Sequence, residues 1–289
     1  LTNADLKQAF IFTVDVEDWG NSTLGSTWPI TGRFLAGLYS ILELLEDAGG
    51  KGTFFILGAA AGKYPEAVRA VAAAGHDVAA HGYEHAAVNA LDPERFREDL
   101  RRVGGTLADI TGARPVYYRA PDFSIDAASL WALDALAEEG FVADSSIFPI
   151  RGRRYGIPWW PPEAREVLLP GGRSLVELPL PTLQSPGVKI PAVGGGYTRV
   201  TPYSVLRAVL KRRARAGRPG VYYCHPYELD AEEIAAYRDH MPLRTRLSQG
   251  TGRRGMHSKL RRLFRDFRTL AVSEFLGSAE LETYAPSGR

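Results

Sequence analysis

The sequence predicts an α/β protein built on a mainly parallel sheet or barrel, and three observations carry that prediction. Short apolar runs of strand character alternate with helical stretches through the first half of the chain. The length of 289 residues suits one large α/β unit, because barrels of this class pass 200 residues without dividing. The residues with chemistry to offer fall where strands end, the usual place for α/β active sites. A composition of 45% hydrophobic and 24% charged residues is that of a globular chain able to bury a full core.

Taken in order, residues 9–16 read as a strand and 34–48 as a helix stopped by Gly49 and Gly50. Residues 53–57 form the second strand, 65–74 a helix closed by Gly75, and 76–80 the third strand. A long helix at 93–111 ends at Gly112, a strand follows at 116–119, a helix at 127–139 stops at Gly140, and 141–144 is another short strand. From 149 to 191 the chain is rich in Pro, Gly and Trp with little periodicity, and reads as a long ordered loop or cap. Strands are expected at 176–180 and 220–224, with a basic helix at 202–216 between them.

The single cysteine, Cys224, excludes a disulfide framework and a cysteine-rich metal site, so any metal is left to His and carboxylates. No run approaches the ~20 apolar residues of a membrane helix, and residues 1–8 lack a basic-then-apolar secretory pattern. A cytoplasmic protein, or one peripheral to the inner membrane, is the expectation. The net charge of +2 is uneven: Arg244 to Arg268 holds nine Lys or Arg against one acid, Asp266. That segment suits contact with a membrane surface or an anionic polysaccharide, or simply a solvated helix face. No nucleic-acid motif accompanies it.

Four strand ends carry candidate chemistry. His81-Gly82-Tyr83-Glu84-His85 sets two imidazoles at i and i+4, where one helical turn would aim both at a divalent ion. Asp15-Val16-Glu17-Asp18 clusters three acids, which asks for a cation or hydrogen bonds in compensation; the same cluster also suits a helix cap. Strand alternation points Asp15 and Glu17 to one side, whereas Asp18 reaches that side only after the strand has turned. Arg119 precedes Ala120-Pro121-Asp122 at another strand end, placed to hold a carboxylate. His225 follows the apolar run to Cys224, where a histidine can act as general acid.

In order and spacing these pieces resemble the polysaccharide deacetylase superfamily, carbohydrate esterase family 4 with its NodB homology domain. The resemblance implies a distorted (β/α) barrel of that type, a single domain over 1–289, and a basic helical C-terminal extension at about 226–289. It implies Asp15 as base, His81 and His85 as metal ligands, Arg119 orienting the base and His225 as acid. The commonest family pattern has two adjacent aspartates, but Val16 stands at the second position, so the third ligand falls to Glu17 or Asp18, with slight preference for Glu17. The family's Asp and Trp wall motif is loosely matched by Asp144-Ser145-Ser146 and Trp131.

A nearer resemblance is to deacetylases encoded with exosortase-linked exopolysaccharide loci. It rests on residues 141–157 with Arg154-Tyr155-Gly156-Ile157-Pro158, on Gly194-Gly195-Gly196-Tyr197, and on His225-Pro226-Tyr227-Glu228-Leu229-Asp230. The implied activity is hydrolysis of N-acetyl groups on a bacterial polysaccharide or its precursor, with Zn2+, or Co2+ or Ni2+, as the metal. A backbone N–H near Tyr118 or His85 would help hold the oxyanion. Pro121, Tyr118, Trp159, Trp160, Tyr197 and Tyr227 are the expected substrate contacts, their apolar faces suiting pyranose rings, with Trp159 and Trp160 set in a Pro-rich loop away from the core. The rival classes are an amidohydrolase acting on a non-sugar amide or cyclic imide, and a catalytically silent carbohydrate-binding protein.

Overall fold

The computed structural model describes residues 3–25, 27–152, 156–185, 188–191 and 193–286. Arg154 and Tyr155 of the expected 154–158 motif lie outside the described residues. The strands are β1 (Ala9–Val16), β2 (Thr53–Ile56), β3 (Asp77–Ala80), β4 (Tyr117–Tyr118), β5 (Ala143–Asp144), β6 (Arg165–Leu168), β7 (Ser174–Glu177), β8 (Thr182–Ser185), β9 (Val188–Pro191), β10 (Val221–Cys224), β11 (Arg268–Leu270) and β12 (Thr283–Tyr284). Ten of them make one sheet in the order β10-β1-β2-β3-β4-β5-β7-β6-β12, with β11 added alongside β1; β8 and β9 pair apart from it. Every pairing in the large sheet is parallel except β6 with β7. The expected α/β fold with a mostly parallel sheet is therefore present, and the distorted barrel is a curved path whose outer strands, β10 and β12, do not pair among the described residues.

The sheet lies between helices, so β1 is buried along all eight residues, as a parallel strand covered on both faces must be. Phe10 and Phe12 meet Tyr222, Phe264 and Phe267 in edge, tilted and stacked contacts at 4.8–6.5 Å. Each such ring contributes about 2–3 kcal/mol by leaving water. Phe264 belongs to the helix Met256–Asp266, which buries Met256, Leu260, Leu263 and Phe264 at i, i+4, i+7 and i+8.

Two expectations need correction. Besides the strand expected at 176–180, which stands as β7, the stretch 149–191 is not a loop throughout: it also supplies β6 to the sheet and forms the β8–β9 hairpin. These three strands, four residues each, are too short to show a period and are fixed by their partners. Nor is Arg244 to Arg268 one solvated basic face. Arg253 is fully buried, paired with Glu233 at 2.7 Å, and Lys259 donates to the carbonyls of Thr198, Arg199 and Thr201 at 2.8–2.9 Å. Those cations tie the tail to the body of the protein, and β11 runs parallel to the start of β1. Among the described residues no helix is long and apolar enough to cross a membrane.

Candidate active site

Strand register assembles the site. Val16, Ile56, Ala80, Tyr118 and Asp144 lie level across β1 to β5. One residue further on stand Glu17, Leu57, His81, Arg119 and Ser145, where the chain leaves the sheet at its C-terminal rim. On the other side of β1, Cys224 is level with Val14, so His225 follows level with Asp15. Four segments distant in sequence thus deliver their polar residues to one row.

Arg119 organises the row. Fully buried, it donates from Nη1 to Asp15 Oδ1 at 2.6 Å and to Thr13 Oγ1 at 2.9 Å. From Nε and Nη2 it reaches the Ser145 carbonyl and hydroxyl at 3.1 and 2.8 Å, while Phe55 lies 4.2 Å beneath the guanidinium. The charge-assisted bond fixes Asp15 with Oδ2 turned towards His225, whose Nε2 is 3.9 Å away. The Arg119 loop is itself held, since Ser146 Oγ accepts from Ala120 N at 2.7 Å and donates to Asp144 Oδ1 at 2.5 Å. Asp144 thus props the arginine loop from below the site.

Donor atoms of Glu17, His81 and His85 converge within 4.8 Å of one another. Glu17 Oε2 lies 2.8 Å from His85 Nε2 and 3.5 Å from His81 Nε2. His81 Nδ1 lies 2.8 Å from the Arg119 carbonyl, which fixes the proton on that nitrogen and turns the Nε2 lone pair towards Glu17. Burial pushes the Glu17 carboxyl up, but the neighbouring His85 and His81 imidazoles, with His225, together hold it well below the usual range. Burial likewise opposes the charged form of His85, yet Glu17 prevails and raises it to about 9. A buried carboxylate and two imidazoles in mutual contact are a donor set suited to a divalent cation.

The histidine pair does not sit on a helical turn. Residues 81–87 are a loop, and His85 takes a left-handed φ of 59°. The loop is pinned where Gly58 N and Ala59 N donate to the carbonyls of Gly82 and Tyr83 at 2.9 Å, and Tyr83 N donates to Asp99. Gly58 is required there, because a Cβ would come within 2.4 Å of the Tyr83 ring.

Asp18 stands apart from this group. It caps the helix Trp19–Leu24, its Oδ1 accepting from Gly20 N at 3.1 Å and its Oδ2 from Thr31 N and Oγ1 at 2.8 and 2.7 Å. Its carboxylate is committed to two backbone N–H groups and the Thr31 hydroxyl, so the three acids divide: Asp15 pairs with Arg119, Glu17 faces the two imidazoles and Asp18 is a cap.

His225 is oriented by a residue that sequence reasoning missed. Glu228 Oε2 accepts from His225 N at 3.0 Å and lies 3.3 Å from His225 Nδ1, while Glu228 Oε1 lies 2.9 Å from Arg199 Nε. The spacing of an acid three residues after a turn-opening residue is the capping-box signal that marks Glu228. Burial lowers the His225 pKa, but Glu228, with Glu17 and Asp15, raises it overall.

The expected substrate contacts separate. Tyr118 is in the core between Phe96 and Phe141, and Trp160 is fully buried against Tyr284, so neither side chain can meet a sugar. Tyr227 stacks on His225 at 4.6 Å with Arg253 5.3 Å from its ring; it supports the histidine. Pro121 is buried and packs against Gly82, joining the arginine and histidine loops. Trp159 and Tyr197 are exposed, at 40% and 38%. Trp131 packs on Phe96, not at the site.

The fold and this cluster define an α/β protein with a buried Glu/His/His candidate metal site at the C-terminal rim of a parallel sheet. Residues 36–139 match the polysaccharide deacetylase family model, and residues 145–277 match a domain of unknown function, DUF3473. The chain therefore carries a polysaccharide deacetylase region over residues 36–139, followed by a DUF3473 region over residues 145–277. It is 32% identical over 113 residues to a peptidoglycan deacetylase-like protein of Gibberella zeae, covering 38% of this chain and 32% of that one. To a peptidoglycan-N-acetylglucosamine deacetylase of Bacillus cereus it is 26% identical over 127 residues, covering 40% and 46%. The chain thus spans a third to just under half the length of these curated relatives. A Mycobacterium smegmatis crystal structure with a provisional polysaccharide deacetylase assignment superposes with TM-score 0.64 at 25% identity, covering 96% of this chain and 94% of that one. A family 4 carbohydrate esterase from Streptomyces lividans shares the fold at TM-score 0.50 and 16% identity, covering 95% and 98%.

Proposed function

We propose that the protein is a metal-dependent deacetylase that hydrolyses N-acetyl groups of a bacterial exopolysaccharide or its precursor, as its resemblance to the exosortase-linked deacetylases implies. The observation that carries the reading is the convergence of Glu17, His81 and His85 beside an arginine-held Asp15. The donor set fits a divalent ion: Glu17 Oε2 is buried and makes no hydrogen bond of good geometry although both imidazoles face it. Glu17, His81 and His85 would hold the ion, Zn2+ before Co2+ or Ni2+, and when bound it would activate water and polarise the acetyl carbonyl.

The remaining chemistry belongs to this chain's side chains. Asp15, with one oxygen fixed by Arg119, uses the other to take the proton of the attacking water. His225, held through Nδ1 by Glu228, presents Nε2 to the same space and donates a proton to the departing amine nitrogen. Acetate and a free amino sugar result. Trp159 and Tyr197 are the exposed aromatic faces left for sugar rings.

The test is acetate release from an N-acetylated glycan by protein loaded with one equivalent of zinc, cobalt or nickel. Asp15→Asn should abolish release while retaining the metal, and His225→Ala should also retain it. Failure of the wild type to bind any of the three ions overturns the reading.

A further inference from the structure

At the rim opposite the candidate active site, two clefts share Gln8, Asp266 and Phe267. The larger, of about 450 Å³, is lined by Lys7, Arg207, Lys211 and Arg215. The smaller, of about 310 Å³, adds Arg265 and Arg268 with Asp5. Gln8 immediately precedes β1, so the groove lies at the start of the strand whose end carries Asp15, about 20 Å away.

Six cations therefore face two acids. Asp266 is engaged by Arg207 at 2.8 Å and by Arg265 at 3.3 Å, and Asp5 by Arg268 at 3.6 Å. Among the described residues Lys7, Lys211 and Arg215 have no carboxylate within ion-pair distance. Arg207, Lys211 and Arg215 follow one another at four-residue intervals on the helix Tyr203–Arg215, a stripe about 12 Å long. Like charges so spaced destabilise a helix, and an anion laid along them removes that repulsion. The groove is concave, and its one aromatic, Phe267, is buried, so it offers no apolar side chain for insertion into a bilayer.

We propose that this groove is a second glycan-binding site, one that takes a carboxylate-bearing polysaccharide chain remote from the catalytic rim. The choice of a glycan rests on the deacetylase reading; the preference for a polyanion rests on the groove alone. Deacetylation turns a neutral amide into an ammonium, so a groove of this sign holds acidic stretches and rejects the newly formed amino sugars. Of the basic segment Arg244 to Arg268, only Arg265 and Arg268 contribute cations to it.

Calorimetric binding of alginate to the full chain, at about 0.15 M salt, tests the proposal. Lys211→Glu combined with Arg215→Glu should weaken binding about tenfold or more, and added salt should weaken the wild type. Acetate release from a neutral N-acetylglucosamine oligomer should be unchanged in the double variant. Equal alginate affinity in both proteins overturns the proposal. So does binding to phosphatidylcholine vesicles containing about one third phosphatidylglycerol, but not to alginate. Charge-dependent alginate binding without any acetate release sustains the groove and overturns only the deacetylase reading.

Discussion

Glu17→Gln and Asp18→Asn are neighbouring, isosteric changes that remove one negative charge each, yet the structure gives them opposite consequences. Glu17 contributes one of three converging donor atoms, and its carboxylate is the only anionic one. Loss even of an outer hydrogen-bond partner typically costs 10–100-fold in metal affinity, so loss of a direct donor should cost about 100-fold or more. Asp18 instead accepts three hydrogen bonds that close the helix Trp19–Leu24 and hold Thr31. Asparagine keeps one acceptor oxygen and loses the charge, at a cost of about 1–2 kcal/mol. For a chain of this size that lowers Tm by roughly 2–8 °C. Zinc titration by calorimetry, elemental analysis after dialysis and a thermal melt on each variant separate the two roles. Should Asp18→Asn lose the metal while Glu17→Gln keeps it, the assignment of donors along this turn is wrong.

Arg119→Met leaves Asp15 as an unpaired buried carboxylate and should lower stability by about 3–5 kcal/mol, read by denaturant unfolding. At a temperature where it stays folded, kcat should fall about 100-fold or more with KM little changed, because the base loses its orientation. His76 packs on Phe54, and burial followed by Lys51 lowers its pKa from 6.5 to about 4. Protonation therefore favours the unfolded chain: the stability held by the neutral imidazole is complete above pH 6.5 and is lost as pH falls towards 4. His76→Leu should flatten that part of the stability–pH curve. Trp160→Ala should cost about 3–5 kcal/mol of stability, whereas Trp159→Ala should stay within about 0.5 kcal/mol and raise KM for the glycan.

The strands up to β5 and the four longer helices between them were legible from periodicity and glycine stop signals, whereas the short helices Trp19–Leu24 and Gly58–Lys63 were not. Asp15, His81, Arg119 and His225 were legible as strand-end residues, since the position of a strand end is a local property. What lay beyond the sequence was everything decided by pairing between distant segments. The register that sets Glu17, His81 and Arg119 in one row depends on hydrogen bonds among four strands. That Glu17 and not Asp18 stands beside the two imidazoles follows from Thr31, whose N–H and hydroxyl claim the second carboxylate. Trp160 looked loop-borne because its neighbours are prolines, but Tyr284, from the far end of the chain, covers it. The sequence by itself determined which groups could do chemistry and that a parallel sheet would carry them. Tertiary structure decided which groups meet, because a side chain's role is fixed by the partners that reach its polar atoms, and those that decide Asp18 and Asp15 are 13 and 104 residues away.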